Sequence, residues 1–210
     1  AIKCFTTWKQ SFGKDYSEMK DMFYGVSVSM ISSMATNQLH SSTCEVYFTL
    51  DLPVTNNGKK LETIYECLDV FTEAECMQKE NAWYNDKTEK YEDVTKKIMF
   101  WNFPMVLVVC LKRFSMDGSC KENHSIAFPH DLDLTNYCCG YKPSNNQYEL
   151  FGVCNHFGSI HKGHYTNFVK SYDDEWYHCN DEIVQRMDST NKINANYAYC
   201  LFYLKKNNQL

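Results

Sequence analysis

The stretch "PMVLVVCLKRF" constrains the fold most, because residues 105–111 form an unbroken, valine-rich apolar run too short for a comfortable buried helix. Branched side chains suit a pleated strand, and a strand without polar alternation has apolar neighbours on both faces. The run therefore predicts a central strand, opened by Pro104 and covered on both sides.

The rest of the sheet must come from elsewhere in the chain. Residues 147–156, 163–172, 175–180 and 195–204 read as strands punctuated by Gly, Asn and Asp, which predicts an antiparallel sheet in the C-terminal half. Toward the N-terminus, residues 26–30 ("VSVSM") and 44–52 ("CEVYFTLDL") alternate as half-buried strands do, with a polar connection between them. Residues 5–23 carry no proline and predict a helix stopped near Gly25. Leu61, Ile64, Leu68 and Phe71 mark the apolar stripe of an amphipathic helix, and Thr72 with Glu75 offers a capping box to a short second one. The segment "TEKYEDVTKKIMFW" passes from charged residues into a strand.

With 210 residues, 44% of them hydrophobic, the chain can close one domain, or one domain with a protruding lobe. Its net charge of −5 comes with Lys and Arg interspersed among Asp and Glu, so no basic stripe points to a nucleic-acid partner. No apolar run approaches the roughly 18 residues of a membrane-spanning helix, and no signal-peptide pattern opens the chain. The sequence thus reads as soluble and cytoplasmic, with the nucleus also open to it. The 11 cysteines are odd in number and several lie inside apolar runs, where reduced thiols act as small hydrophobes. The chain opens with Ala1 and runs straight into structured-looking sequence, as a fragment or a processed product would.

Chemistry concentrates in two strings, "FGVCNHFGSIHKGHYTNF" and "WYHCND". His164 lies in a Gly-flanked loop before a strand, and Asn180 and Asp181 end the neighbouring strand 16 and 17 residues later. Antiparallel pairing would join those ends, giving a general base and a partner that fixes its tautomer. Two alternatives stand beside this: a loop histidine that is merely solvated, and a metal site drawn from His156, His161, His164, His178 and Cys179. The spacing of that set matches no closed zinc pattern.

The strings "LVVCLKRFS", "YELFGVCNHFGSIHKGHYTNFVK" and "EWYHCND", in this order, resemble the C-terminal half of the catalytic domain of the ubiquitin-specific proteases, a family of cysteine deubiquitinases. Smaller strings, "FYG", "ECLDVFTEAE", "LDLTNY" and "YCLFY", fall where that family has related ones. The resemblance implies an α+β, papain-like cysteine protease fold, incomplete at its N-terminus. Residues 1–24 would be the end of the thumb, 25–100 the β-rich fingers with inserted helices, and 101–210 an antiparallel palm sheet. It further implies His164 as catalytic histidine, Asn180 as the third triad member and Asp181 as the acidic neighbour. Asn155, His156, Gly158, Gly163 and Tyr165 would line the channel for the ubiquitin tail. The implied partners are ubiquitin and ubiquitinated proteins, and no cofactor is implied.

The sequence also departs from the family's pattern. The N-terminal box that carries the nucleophilic cysteine, "GLxNLGNTCYMN" in outline, is absent. Cys110, Cys154 and Cys200 read as core, Cys4 and the Cys138-Cys139 pair lack a Gly-rich turn into a helix, and Cys179 should point away from Asn180. An alternative function is therefore a catalytically inactive ubiquitin-binding module. Ser33, Thr36, Asn85 and Thr88 occupy the four positions where many members have zinc-binding cysteines, and such side chains cannot supply the thiolates, so no zinc is expected. Lys162 replaces a glycine before "GHY", which would cost energy if that backbone needed positive φ. Cys110 replaces a histidine before "LKRF", which reads as a neutral core exchange.

Overall fold

The computed structural model describes residues 17–115, 117–140, 146–188, 193 and 196–206. Its elements begin with α1 (Glu18–Phe23), β1 (Gly25–Ser33), β2 (Leu39–Tyr47), β3 (Thr49–Pro53), β4 (Thr55–Asn56), β5 (Lys59–Lys60) and α2 (Ile64–Thr72). There follow β6 (Glu75–Met77), β7 (Trp83–Asn85), β8 (Lys90–Glu92), β9 (Val94–Asn102), β10 (Val106–Lys112) and β11 (Asp131–Asp133). The chain closes with β12 (Gln147–Gly158), β13 (Gly163–Lys170), β14 (Trp176–Asn180), β15 (Ile183–Arg186) and β16 (Ala198–Lys205). Of the helix expected over residues 5–23, the part before residue 17 lies outside the described residues. No described helix is long and apolar enough to cross a membrane.

Two compact units divide the chain. One holds the sheet β2-β1-β9-β6, antiparallel throughout, and the hairpin β7–β8. Val26, Val28, Val94, Phe100 and Phe103 are the buried apolar residues among its described residues, with the rings of Phe100 and Phe103 4.6 Å apart. Tyr47 lies over Gly25, where a Cβ would meet the end of its side chain, so a larger residue there would have to displace that ring. The expected strand over residues 44–52 is two strands: β2 ends at Tyr47 in this sheet, and β3 begins at Thr49 in the other. Alternation continues across Phe48, so polarity alone carries no sign of the change of sheet.

The second unit is built on an eight-stranded mixed sheet ordered β15-β14-β13-β12-β16-β10-β3, with β11 added beside β12. β10 is an interior strand, but it lies next to the edge strand β3 rather than at the centre as expected; Val106, Leu107, Val108, Val109 and Leu111 are all buried, as the unbroken run requires. Its β3 neighbour is parallel and its β16 neighbour antiparallel. Helix α2 buries Ile64, Cys67 and Leu68. Its start is fixed by the Glu66 N–H donating to Thr63 Oγ1 and the Glu62 N–H donating to Glu66 Oε2. The capping signal thus acts one helix earlier than expected: Thr72 ends α2, and Glu75 opens strand β6 on β9. Edge pairing there overrides a local pattern worth only about 1 kcal/mol.

Buried Arg113 closes the loop after β10 onto β16, donating from Nε to the Ala198 carbonyl at 2.7 Å and from Nη1 to the Glu122 and His124 carbonyls at 2.9 and 2.8 Å. Cys44 is disulfide-bonded, so the cysteines are not all the reduced thiols expected, whereas Cys110, Cys154, Cys179 and Cys200 are free.

Candidate active site

Strands β12 and β13 form a hairpin in which His156 faces Tyr165, Phe157 faces His164 and Gly158 faces Gly163. Gly158 turns the chain with φ +100°, and the Ser159 N–H donates to the Lys162 carbonyl at 2.9 Å. Lys162 itself is exposed and is not among the described non-glycine residues with positive φ, so its backbone carries no strain of that kind.

His164 is exposed at the start of β13. In the β13–β14 register Asn167 pairs with Cys179, which places Asn180 opposite Thr166 and diagonal to His164 on the same face. The side chains meet, with His164 Nε2 2.6 Å from Asn180 Oδ1. An amide oxygen only accepts, so Nε2 donates to it and Nδ1 is the ring nitrogen left open. In the neutral form of the ring, Nδ1 carries the lone pair that can take a proton. Asp181 sits in the β14–β15 turn with φ +50°, and its carboxylate makes no hydrogen bond to the described residues. Cys179 projects to the opposite face from Asn180, as the pleat dictates.

Behind the hairpin lies an arrangement that sequence reasoning missed. The Lys121 ammonium is 3.0 Å from His156 Nδ1 and donates to the His156 and Gly158 carbonyls at 2.7 and 3.1 Å. An ammonium has no acceptor, so Nδ1 accepts and the buried His156 ring carries its proton on Nε2. Burial, and then the Lys121 charge, hold this imidazole below its ordinary pKa. The ring packs so closely on Gly163 that any Cβ there would collide with it and with the Phe157 carbonyl. Lys121 thus fixes a ring that abuts the residue immediately before His164. Its signal in the sequence is one lysine 35 residues from its partner, which no local pattern reveals.

The other expected site residues divide by exposure. Asn155, like His156, is buried, while Gly158, Gly163 and Tyr165 are exposed. Asn155 Oδ1 and Thr166 Oγ1, on directly paired residues, are buried without a hydrogen-bond partner among the described residues. His178 lies against Phe168, with ring centroids 5.0 Å apart, and His161 is exposed on the hairpin turn. Among the described residues no group of three His, Cys, Asp or Glu side chains converges on a point where a metal could sit.

In the first unit the four positions weighed for zinc bond locally. Ser33 Oγ accepts from the Ala35 and Thr36 N–H groups at 3.2 and 3.3 Å, and Asn85 Oδ1 accepts from the Lys87 N–H at 3.0 Å. Thr88 Oγ1 and Asn85 Nδ2 both donate to Glu92 Oε1, at 2.6 and 3.0 Å. These bonds, led by the Thr88 hydroxyl, keep the Glu92 carboxyl below the usual range.

A sheet-rich chain with few helices, carrying an imidazole and its orienting amide at one hairpin, is of the α+β, papain-like class. A chain in a structure of the yeast SAGA DUB module matches it with a TM-score of 0.78 at 27% identity, covering 96% of this chain and 45% of that one. The family model for ubiquitin carboxyl-terminal hydrolase matches residues 3–203, so the chain belongs to that family, the ubiquitin-specific proteases. It is 35% identical over 158 residues to ubiquitin carboxyl-terminal hydrolase 12 of Saccharomyces cerevisiae, across 72% of this chain and 12% of that protein. Against ubiquitin carboxyl-terminal hydrolase 19 of Homo sapiens it is 34% identical over 158 residues, across 69% of this chain and again 12% of the relative. The chain therefore spans a small part of these curated relatives.

Proposed function

We propose that this chain contributes to a deubiquitinating thiol hydrolase that cleaves the isopeptide or peptide bond after the C-terminal glycine of ubiquitin. The observation that carries the reading is the 2.6 Å contact between His164 Nε2 and Asn180 Oδ1 in a chain of this family. His164 Nδ1 takes the proton of a cysteine thiol, the thiolate attacks the carbonyl, and the same imidazole then protonates the leaving lysine amine. Asn180 holds the ring in the required tautomer, as the third member of a Cys-His-Asn set does. Exposed Tyr165, with Gly158 and Gly163, forms the wall along which the ubiquitin tail lies. The thiol comes from the family's Gly-Asn-x-Cys box, which is not among these 210 residues.

Lys162 before His164, and Ser33, Thr36, Asn85 and Thr88 at the four zinc positions, favour a second reading, in which the chain binds ubiquitin without cleaving it. A fluorogenic ubiquitin substrate given to the full-length protein separates the two. The hydrolase reading expects turnover that His164→Ala lowers by on the order of 1,000-fold, with ubiquitin affinity retained. Ubiquitin binding without turnover in the unmodified protein sinks the hydrolase reading.

A further inference from the structure

Strands β10 and β16 place Cys110 directly opposite Cys200, and the two Sγ atoms lie 3.4 Å apart without being bonded. The kind of pair follows from one hydrogen bond. Between these strands the Lys205 N–H donates to the Met105 carbonyl at 2.8 Å, so 105 and 205 are a hydrogen-bonded pair. Pair types alternate along an antiparallel ladder, and Cys110/Cys200 comes five steps later, an odd number. It is therefore a non-hydrogen-bonded pair, the type with Cα atoms about 4.5 Å apart and side chains closest. Disulfides span Cα separations of about 4.4–6.8 Å, so this pair lies at the short end of the range, where strain makes the bond easier to reduce.

The sequence reading of Cys110, Cys154 and Cys200 as core is corrected here: all three are only half-buried. Cys154 on β12 is the other direct neighbour of Cys200, so the three thiols form a row across three strands. A row does not enclose a metal ion, and among the described residues no such cluster exists. Two-electron chemistry of one facing pair is what this geometry supports.

We propose that Cys110 and Cys200 are a reversible oxidation site at which a peroxide converts the facing thiols into a cross-strand disulfide. The Cys110 sulfur attacks one peroxide oxygen. The O–O bond breaks, Cys110 becomes a sulfenic acid, and the other oxygen leaves with the thiol proton as water. The Cys200 sulfur then attacks the Cys110 sulfur, the S–O bond breaks, and that oxygen leaves with the Cys200 proton as a second water. The two thiols lose two electrons and the peroxide gains them. Cys110 leads because the contact with the facing Cys200 thiol holds the Cys110 thiol below its ordinary pKa, while the same contact and burial raise that of Cys200. The reaction needs neither His164 nor ubiquitin, so it stands apart from the proposed hydrolase activity.

The test is peptide mapping by mass spectrometry of the unmodified protein, first reduced with dithiothreitol and then treated with hydrogen peroxide. The expected product is a peptide pair linked through Cys110 and Cys200, lighter by about 2 Da than the two reduced peptides and released again by dithiothreitol. In Cys200→Ala, Cys110 should instead stop as a sulfenic acid trapped by dimedone. A Cys154–Cys200 linkage overturns the proposal. So does Cys110 left reduced, or carried to sulfinic acid without linkage, under conditions that oxidise the exposed Cys76 and Cys120.

Discussion

Two turns in this protein are held in opposite ways. In the first unit, the turn after β1 is secured by a short side chain whose exposed bonds reach backbone N–H groups a few residues away, as Ser33 does to Ala35 and Thr36. In the second unit, the β12–β13 hairpin is secured from behind by Lys121, which is 35 residues from His156 in sequence, and by a ring that leaves no room for a side chain at Gly163. A turn held locally tolerates change because water can replace each exposed bond. A turn held by buried, long-range contacts does not, because each lost contact leaves a desolvated group or a clash. The second arrangement occurs directly beside His164.

The contrast is most directly broken at Gly163. Gly163→Ala drives a methyl into the His156 ring and the Phe157 carbonyl, and it should destabilise the protein by about 1–3 kcal/mol in urea denaturation. A change below about 0.5 kcal/mol would mean that the hairpin is as forgiving as the first unit's turn. Lys121→Met comes next, since it strips a donor from His156 Nδ1 and from two carbonyls, at a cost of about 1–3 kcal/mol. In the NMR titration of that variant, the His156 imidazole pKa should rise toward its ordinary value without reaching it, because burial, the larger cause, remains.

The pH dependence sharpens the same point. His156 has a folded-state pKa below its unfolded value, so the unfolded chain binds the extra proton first. Its contribution to stability is full above the unfolded value of about 6.5 and is lost as pH falls from there through the folded value. Denaturation midpoints should therefore drop across that window, and less steeply in Lys121→Met. The smallest effect belongs to the first unit: Ser33→Ala exposes two turn N–H groups to water and should cost about 0.5 kcal/mol. A cost above that of Gly163→Ala would reverse the comparison.

Much of this architecture could be read from local pattern. The valine run marked β10 as a buried strand with neighbours on both sides, and the two polar strings paired His164 with Asn180, because neighbouring strand ends are close in sequence as well as in space. Reading failed where two local signals compete or where partners are distant. The T-x-x-E pattern occurs at Thr63 and again at Thr72, and only the pairing of β6 with β9 makes the second a strand entry. Likewise, Cys110 looks like a core residue until Cys200 is seen across the ladder, 90 residues away.

Hydrophobic period, turn residues and motif order are properties of neighbours along the chain, so the amino-acid order was sufficient for the buried strand β10, the sheet-rich class, the family and the histidine with its amide. The change of sheet at Phe48, the Lys121 support behind His156 and the facing thiols of Cys110 and Cys200 arose only from tertiary structure. Each depends on which strands become neighbours and in what register. Burial and the geometry of the whole sheet set that register, and no short window of sequence contains it.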